Sequence, residues 1–425
     1  MGKIVKKSFK CLKGEIEIPP DKSLSHRSVI FASVANGKSV IKNFSAGKDP
    51  QSSLCVCKSL GAEIYQDNNT VYVNSNGTLK KPNTELYCGN SGTTMRLMSG
   101  ILSGMSFEST LTGDSSLSAR PMKRIITPLE QMGAKIISDN FHAPLKINGQ
   151  KLKGINYSSP ISSAQVKSCI LLAGLNAEGE TIFTEPYQSR NHTEIMLKNM
   201  GADIVTENNT VTIKKSTLSP IEIEICGDIS SAAYFLAAGL IVPKSDIILK
   251  NVNLNPTRTG ILEVLREMGG QIEILNQREI CSELSGDIRV KYTENLKSCK
   301  ISSSLISKLI DEIPVIALLA TQCEGITTIS DAQDLRNKES DRIKTTVSQL
   351  NKLGAQIEET DDGMIIYGKT TLQGGQTVDS YNDHRLAMTL YVAGLICKNE
   401  IFINNFEWVN ISFPEFEYLF ESLYS

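Results

Sequence analysis

The chain has 425 residues, a formal net charge of −2, and 40% hydrophobic and 21% charged residues. This length suits two to three folded domains, and the charge lacks the basic excess of a general nucleic-acid binder. The sequence shows no run of about 18 apolar residues that could cross a membrane and no apolar stretch of a signal peptide, and its ten cysteines are scattered, so we expect a cytoplasmic protein with buried thiols.

A short glycine signature recurs five times along the chain. Each glycine follows an amphipathic helical pattern, such as Pro121–Gln131 or Ile261–Glu267, and precedes an apolar strand pattern. The glycines are separated by 72, 68, 68 and 85 residues, and they are Gly61, Gly133, Gly201, Gly269 and Gly354. The pattern predicts a repeat of about 70 residues, consisting of a helix, a glycine cap, a strand, a turn and a second strand.

A second helical pattern, apolar on all sides, recurs six times. Helices of this kind are buried inside a domain, and their starts in this chain are rich in residues that cap helices. They begin near Ser23, Gly92, Ser163, Ser230, Asp311 and Asp383. Six repeats could form one six-fold ring or two domains of three, and the buried helices favour two domains with a boundary near residue 240.

The sixth repeat lacks the glycine signature. Its final helix is predicted over Phe413–Leu423, and its missing strand is expected from the N-terminal segment Lys13–Ile18. Such an arrangement would close the chain on itself.

Basic residues stand at the predicted helix starts, where the helix dipole disfavours a cation unless an anion binds there too. They are Lys22, Arg27, Lys48, Arg96, Arg120, Arg190, Arg258, Arg342 and Arg385. The pattern predicts a cleft for a small, multiply anionic ligand; the alternative is that each cation pairs with a nearby carboxylate. Acidic residues lie at the same helix starts, where each could act as a general base or as a helix cap. They are Asp311, Glu312, Glu339, Asp341 and Asp383.

Eight motifs, in this order, make the chain resemble the 5-enolpyruvylshikimate-3-phosphate synthase family over essentially its full length. They are Asp21–Arg27, Gly89–Arg96, Arg120–Met122, Ser163–Lys167, Gly227–Ala232, Asp311–Pro314, Leu335–Arg342 and Asp383–Arg385. The resemblance implies an α/β fold, a two-domain inside-out α/β barrel (α/β prism) with three repeats per domain and six in all. It implies an N-terminal domain over residues 19–240, a C-terminal domain over residues 1–18 and 241–425, and an active site in the cleft between them.

The resemblance also implies the reaction, transfer of the enolpyruvyl group of phosphoenolpyruvate to shikimate 3-phosphate with release of phosphate, and it implies inhibition by glyphosate. The catalytic residues would be Asp311 as the base, and Glu339 with Lys22 for proton delivery. Shikimate 3-phosphate would be bound by Lys22, Ser23, Arg27, Ser163, Gln165, Arg190, Asp311 and Lys338. Phosphoenolpyruvate would be bound by Lys22, Gly92, Arg120, Gln165, Arg342 and Arg385. No metal or other cofactor is implied.

Two positions depart from the family pattern. Many relatives have aspartate where this chain has Asn191, and some have lysine where it has Ile411. Three other functions compete with this one: transfer to UDP-N-acetylglucosamine, a non-catalytic sugar-phosphate sensor and a nucleotide-binding kinase. The first is disfavoured by Ser23, where the sister enzyme has asparagine. The acids Asp311 and Glu339 disfavour the sensor, and the absence of a glycine-rich phosphate-binding loop motif disfavours the kinase. We expect small-molecule substrates only, no nucleic-acid or membrane partner, and a monomer.

Overall fold

The computed structural model describes residues 2–7 and 11–424 of the chain. As far as they are described, the residues form two compact units. The N-terminal unit comprises Pro20–Ile225 and Ile280–Glu283, and the C-terminal unit comprises Met1–Pro19, Cys226–Glu279 and Leu284–Ser425. Within the described residues, no helix is both long and apolar enough to span a bilayer.

Strands and helices are interspersed throughout the described residues. The strands, in chain order, are β1 (Lys3–Val5), β2 (Lys13–Glu17), β3 (Asn36–Lys42), β4 (Glu63–Asp67), β5 (Thr70–Asn76), β6 (Leu86–Tyr87), β7 (Glu108–Thr112), β8 (Lys135–Asp139), β9 (His142–Asn148), β10 (Asn156–Ser158), β11 (Glu180–Thr184), β12 (Ile204–Glu207), β13 (Thr210–Lys214), β14 (Glu222–Glu224), β15 (Asp246–Asn253), β16 (Gln271–Ile280), β17 (Glu283–Lys291), β18 (Lys300–Ile301), β19 (Gly325–Ile329), β20 (Gln356–Thr360), β21 (Gly363–Gly368), β22 (Thr377–Asp379) and β23 (Ile401–Asn404). The α-helices are α1 (Lys22–Val34), α2 (Lys48–Ser59), α3 (Gly92–Ser103), α4 (Ser115–Ser118), α5 (Lys123–Gln131), α6 (Ala164–Gly174), α7 (His192–Asn199), α8 (Ile229–Ile241), α9 (Gly260–Glu267), α10 (Ser304–Leu309), α11 (Ile313–Ala320), α12 (Arg342–Lys352), α13 (His384–Gly394) and α14 (Phe416–Ser422). Three 3₁₀ helices span Ile310–Glu312, Gln333–Asn337 and Phe406–Ile411.

The N-terminal unit contains three four-stranded sheets, in the orders β14-β3-β5-β4, β6-β7-β9-β8 and β10-β11-β13-β12. In each sheet the first pair of strands is parallel and the other pairs are antiparallel. The parallel edge strand always comes from the preceding repeat, and β14 returns from the third repeat to pair with β3 of the first. The three repeats therefore close into a ring within this unit.

Three helices of the N-terminal unit, α1, α3 and α6, are buried almost throughout, as their apolar sequences predict. Helix α3 packs against both α1 and α6. The sheets alternate buried and exposed side chains, so each sheet turns one face to these helices and one to solvent. This arrangement, with helices inside and sheets outside, is the predicted inside-out α/β architecture.

The C-terminal unit has three sheets among its described residues, ordered β16-β17-β15-β2, β18-β19-β21-β20 and β1-β23-β22. The expectation that Lys13–Ile18 supplies the missing strand of the sixth repeat is wrong. Strand β2 pairs in parallel with β15 of the fourth repeat, and β1 instead pairs antiparallel with β23 of the sixth. Strand β2 fills the parallel edge position that a preceding repeat fills in the other sheets.

The buried helices of the C-terminal unit are α8, α11 and α13, and they pack against one another. Because α8 also packs against β15, it belongs to this unit. The division therefore falls between Ile225 and Cys226 and not near residue 240, where it would cut α8. Each unit then has three buried helices.

The final helix, α14, closes the C-terminal unit with aromatic side chains. Phe416 and Phe420 are fully buried, and the rings of Phe235 on α8 and Phe420 stack with centroids 4.3 Å apart. The helix is shorter than the predicted Phe413–Leu423, because Pro414 and Glu415 form a turn and the helix begins only at Phe416.

The glycine signature is confirmed as a helix-ending device. All five signature glycines have φ angles between 82° and 100°, a region that only glycine enters without strain. Each lies just after the second helix of its repeat, and the hairpin of strands follows. The repeat predicted from spacing is thus helix, left-handed glycine, strand, turn and strand.

Candidate functional site

Helix α1 carries three of the predicted site residues near its start: Lys22, Ser23 and Arg27. The carboxylate of Asp21 caps the helix by accepting a hydrogen bond from a backbone N–H of its first turn at 2.9 Å. The Lys22 ammonium donates to Asp49 in the first turn of α2 at 3.2 Å, and both side chains are mostly buried. The ion pair orients Lys22, which chain spacing alone could not show.

The Arg27 guanidinium is buried and held from three sides. It donates to Thr193 Oγ1 at 2.8 Å, to Ser168 Oγ at 2.9 Å and to the Ser23 carbonyl at 3.1 Å. The Arg190 guanidinium approaches the hydroxyl of the same Ser23 at 3.5 Å. The structure thus brings Ser23, Arg27 and Arg190 together, three residues that the sequence assigned to one phosphorylated ligand.

A second group gathers at the start of α3. A Cβ atom added to Gly92 would lie 3.0 Å from Nη1 of Arg96 and 3.4 Å from Nη1 of Arg120. Gln165 accepts a hydrogen bond from Arg96 and donates to Thr93 Oγ1 at 2.9 Å. Two guanidinium groups, an amide and a helix N-terminus therefore surround a glycine that leaves its backbone open to approach. Such a set suits a small anion carrying a carboxylate or phosphate.

Arg120 is placed by Asn90, the residue just before the cap of α3. Its Nη2 donates to Asn90 Oδ1 at 2.6 Å and approaches Ser116 Oγ at 3.4 Å. Asn90 in turn donates to Asp114, the cap of α4, at 2.9 Å. The short helix α4 and the loop before α3 therefore both orient Arg120.

A buried hydrogen-bond chain ties α1, α2 and α3 together behind these cations. Nδ1 of His26 lies 2.7 Å from Ser53 Oγ, which lies 2.7 Å from Thr94 Oγ1. The Thr94 hydroxyl continues to Ser91, the cap of α3, at 2.8 Å. The helix starts that present the cations are thus coupled through three hydroxyl groups.

The imidazole of His26 is held in its neutral form. Burial lowers its pKa well below the ordinary 6.5, and the positive charges of Lys22 and Arg27 lower it further. A neutral His26 adds no positive charge to those on either side of it.

Two residues singled out in the sequence, Ser163 and Asn191, lie at helix N-caps but make no capping hydrogen bond. Ser163 stands at the N-cap of α6, yet its hydroxyl makes no capping hydrogen bond, so the cap alone does not account for it. Asn191 stands at the N-cap of α7 and likewise makes no side-chain cap. The residue that follows it, His192, is fully buried, and its Nδ1 lies 2.7 Å from a carboxylate oxygen of Glu283.

In the C-terminal unit, Arg342 is the centre of the predicted site. Its buried guanidinium donates to Asp383 at 2.8 and 3.3 Å, to Asp311 at 3.2 Å and to Glu339 at 2.5 Å. Burial opposes its charge, but Asp383, Glu339 and Asp311 outweigh burial and raise the pKa of Arg342 well above its ordinary value. The two predicted proton-transfer groups, Asp311 and Glu339, therefore share one permanent cation.

Arg385 lies in the first turn of α13, whose cap is Asp383. Its Nη1 donates to the carbonyl of Ser230 at 3.3 Å. Burial alone would lower its pKa, but Tyr234 and the carboxylates of the neighbourhood, Asp311 among them, raise it. Arg385 is therefore a buried, permanent cation beside the acids that Arg342 holds.

The loop between β19 and α12 supplies Lys338 and Glu339. Lys338 pairs with Asp334 at 3.0 Å and is partly exposed. Arg336 fastens the loop by donating to Asp341, the cap of α12, and to Glu359, both at 2.8 Å. Lys338 is the one predicted residue of this unit that no described contact joins to the Arg342 cluster.

The predicted residues thus fall into a cation-rich set in the N-terminal unit and a set with both acids in the C-terminal unit. The sequence prediction omitted several residues that orient them: Asp49, Asn90, Arg96, Thr193 and Asp383. Arg96 and Asp383 are charged residues at predicted helix starts, and Asn90 lies inside the motif Gly89–Arg96, so the sequence could have identified these three. Asp49 and Thr193 are identified only by their contacts. Among the described residues, no group of three or more histidine, cysteine, aspartate or glutamate side chains could hold a metal ion.

Comparisons with known proteins identify the family of the chain. The family model of EPSP synthase (3-phosphoshikimate 1-carboxyvinyltransferase) matches residues 6–419. The 3-phosphoshikimate 1-carboxyvinyltransferase of Thermodesulfovibrio yellowstonii is 53% identical with all of both chains covered, and that of Bacillus subtilis is 49% identical over 95% of this chain and 96% of its own.

Solved structures give the same relationship. A solved structure of the EPSP synthase of Acinetobacter baumannii superposes with a TM-score of 0.87 at 41% identity, covering 99% of this chain and 98% of its own. The enolpyruvyl transferase NikO of Streptomyces tendae, at 16% identity and a TM-score of 0.79 over 99% and 97% of the two chains, shares the fold. With its two units of three repeats and its charged helix starts, the chain belongs to the EPSP synthase family.

Proposed function

We propose that this chain is a 3-phosphoshikimate 1-carboxyvinyltransferase, which transfers the enolpyruvyl group of phosphoenolpyruvate to the 5-hydroxyl of shikimate 3-phosphate and releases phosphate. Beside family membership, one observation carries the proposal. Asp311 and Glu339 converge on Arg342, which places two proton-transfer groups at a single buried cation. A reaction that removes one proton from a hydroxyl and adds another to a carbon needs two such groups.

The N-terminal unit supplies most of the proposed shikimate 3-phosphate ligands. Ser163 and Arg190 bind its phosphate, because the Ser163 hydroxyl stands at a helix N-terminus without capping it. The neighbouring side chains of Ser23 and Arg27, with Lys22, bind other parts of the ligand. Gln165, Asp311 and Lys338 complete the set.

Phosphoenolpyruvate is assigned to the cations around Gly92. Arg120 approaches this glycine, and Gln165 reaches it through Arg96. Lys22, Arg342 and Arg385 are assigned to the same substrate. Arginine suits this task because its planar group pairs with carboxylates and phosphates through two hydrogen bonds.

The proposed mechanism is addition followed by elimination. Asp311 takes the proton of the 5-hydroxyl, and Glu339, with Lys22, gives a proton to the methylene carbon of phosphoenolpyruvate. The neighbouring carbon becomes electron-poor, and the alkoxide oxygen bonds to it. Glu339, now deprotonated, takes a proton back from the new methyl group while the carbon–oxygen bond to phosphate breaks, which restores the double bond and releases phosphate. The permanent cations stabilise the departing phosphate.

Location and assembly belong to the proposal as well. We propose that the enzyme works in the cytoplasm, and its ten free cysteines fit a reducing compartment. It acts on its two small-molecule substrates as a monomer, which light scattering of the purified chain would test.

The proposal is tested by phosphate release from phosphoenolpyruvate, without added metal, using shikimate 3-phosphate or UDP-N-acetylglucosamine as acceptor. Release with shikimate 3-phosphate alone is expected. Release with the UDP-sugar would assign the chain to the sister activity. Saturable binding of shikimate 3-phosphate without release would instead indicate a sensor.

A further inference from the structure

Several helix starts of the C-terminal unit meet at one buried serine that the proposed reaction does not use. The Oγ atom of Ser230, in the first turn of α8, accepts a hydrogen bond from Nη2 of Arg258 at 2.9 Å and donates one to Glu312. The Ser230 carbonyl accepts from Arg385, and its N–H donates to the cap residue Asp228 at 2.8 Å. One residue thus joins α8, α13, the approach to α9 and the turn before α11.

The two charged partners of the Ser230 hydroxyl are deeply buried. Arg258 and Glu312 are each 1% exposed, and Ser230 is fully buried. Arg258 is also paired with Asp228 at 2.9 Å. Charges removed from water in this way are costly unless their partners are fixed, so the geometry of the set is tightly defined.

The usual explanation for an acid at a helix start does not account for Glu312. It stands at the N-cap of α11, but its side chain makes no capping hydrogen bond to that helix. Its carboxylate reaches Ser230 on a different helix instead. The contact fixes the position of the turn and does not serve the helix that follows.

The turn in question is the 3₁₀ helix Ile310–Glu312, which also contains Asp311. Consecutive residues of such a turn point in different directions, so the two acids face different partners. Asp311 faces Arg342 at 3.2 Å, while Glu312 faces Ser230. Two described side-chain hydrogen bonds therefore hold the turn, one through the proposed base and one through Glu312.

We propose that Glu312, held by the Ser230 hydroxyl and Arg258, is a positioning residue that fixes the turn carrying Asp311 in the orientation needed for proton removal. This inference rests on the proposed function, because it gives Asp311 the role assigned there. Glu312 itself touches neither substrate. Its effect on the reaction runs through the backbone of a single turn, and errors of about 1 Å in such a placement cost up to about a hundredfold in rate.

Substitution of Glu312 leaves the charge of Arg385 in place. Burial lowers the pKa of Arg385, while Tyr234, Asp311, Glu312 and Asp228 raise it. A guanidinium stays protonated with or without one of these acids, and the hydrogen bond of Arg385 goes to the Ser230 carbonyl, which side-chain substitutions do not remove.

The test compares Glu312→Ala, Glu312→Gln and Ser230→Ala in the full chain, by steady-state phosphate release well below the melting temperature of each variant. Glu312→Ala should lower kcat about 10- to 100-fold and leave the KM for phosphoenolpyruvate within about twofold, since only the placement of the base changes. Glu312→Gln, which retains a hydrogen-bond acceptor, should recover most of the rate. Ser230→Ala removes a single oxygen atom and should lower kcat in the same way.

The double variant Ser230→Ala with Glu312→Ala should be no slower than Glu312→Ala alone, because both changes break one bond. Glu263→Gln serves as the matched control, since this exposed acid on α9 pairs only with Lys308 in the described contacts and should leave kcat unchanged. Lower melting temperatures with an unchanged kcat would show a purely structural network and overturn the inference.

The proposed function can fail separately. If the unmodified chain releases no phosphate with shikimate 3-phosphate, the function fails before any variant is compared. If it does release phosphate and Asp311→Asn abolishes this, while Glu312→Ala retains full kcat, the function stands and the positioning role is wrong.

Discussion

Arg342 illustrates how much a single side chain can organise at the residue scale. Four hydrogen bonds join its guanidinium to three carboxylates, two of which are the proposed base and proton donor. A cation held in this way draws the two acids toward one point before any substrate arrives, while the backbone that carries Asp311 needs its own support from Glu312. This is the preorganisation that enzymes use in place of reorganisation during the reaction.

Asp311→Asn is the most direct test of this cluster. The amide cannot accept the hydroxyl proton, so kcat should fall at least about a hundredfold, since general-base catalysis contributes about 10²–10⁴. Binding of shikimate 3-phosphate, measured by calorimetry, should survive because its phosphate ligands lie elsewhere. Asp361→Asn, an exposed aspartate of the same unit, should behave like the unmodified chain. Near-normal turnover of Asp311→Asn would remove it as the base.

Gly92→Ala should act on phosphoenolpyruvate alone. The added methyl would lie 3.0 Å from Nη1 of Arg96, which must shift by a few tenths of an ångström, and would contact Nη1 of Arg120 at 3.4 Å. A displacement that costs about 1.4 kcal/mol of binding raises the KM for phosphoenolpyruvate about tenfold. The KM for shikimate 3-phosphate should stay constant. If that KM changed and the KM for phosphoenolpyruvate did not, the assignment of Gly92 would be wrong.

At the scale of single elements, the signature glycines allow a left-handed backbone turn after each helix, and the effect on stability can be measured. Gly269 has a φ of +82°, and nothing lies within 4 Å of a Cβ added there. Gly269→Ala should therefore destabilise the fold through backbone strain alone, by about 1–2 kcal/mol in urea unfolding. Gly269→Asn should cost less, because asparagine tolerates the left-handed region. Equal stability of the alanine variant and the unmodified chain would argue against the strain.

The hydrogen-bond chain behind α1, α2 and α3 predicts a pH dependence of stability. Because the folded pKa of His26 lies below the unfolded value of 6.5, the unfolded chain binds a proton below pH 6.5 that the folded chain does not bind. The contribution of His26 to the free energy of unfolding is fully present above pH 6.5. It is lost as the pH falls toward the folded pKa, by at most about 1.4 kcal/mol per pH unit.

The variant His26→Asn cannot titrate in this range. Between pH 7 and pH 5.5, the free energy of unfolding of the unmodified chain should fall more than that of the variant, as measured in urea at each pH. Parallel curves for the two proteins would mean that His26 is protonated in the folded state as well.

The elements show which features the sequence could specify. The glycine spacing and the apolar helices predicted the repeats and their burial, because both patterns are local and recur. Strand partners over long distances were less accessible. Lys13–Ile18 reads as a strand, but nothing in its alternation distinguishes the edge of the fourth repeat from that of the sixth. The site followed the same rule: Arg342 was predicted by its place at a helix start, whereas the pairing of Lys22 with Asp49 depends on how α1 packs against α2.

At the scale of the whole molecule, the N-terminal unit contains almost everything that its ring requires. We expect the fragment Pro20–Ile225 to fold and to melt cooperatively by circular dichroism, since its three sheets are complete within it. The fragment lacks Glu283, which leaves the buried His192 without that partner and costs about 1–3 kcal/mol. It should bind shikimate 3-phosphate in calorimetry but release no phosphate, because Asp311 and Glu339 are missing.

A shorter fragment ending at Lys215 provides the matched control. It lacks β14 and cannot pair the open edge of β3, so it should be unfolded or aggregate. If both fragments melt alike, closure of the ring by β14 is not what stabilises the unit.

The placement of β1 and β2 also sets a timetable for synthesis. These strands leave the ribosome long before their partners, since the partner of β2 begins at Asp246, and β1 pairs with β23, which begins at Ile401. At translation rates of about 5–20 residues per second, β1 waits about 20–80 s for its partner. The N-terminal unit can complete its ring during that interval, so β1 is paired only after this unit has formed. The nascent chain carries an unpaired strand for that time, and chaperones could bind it.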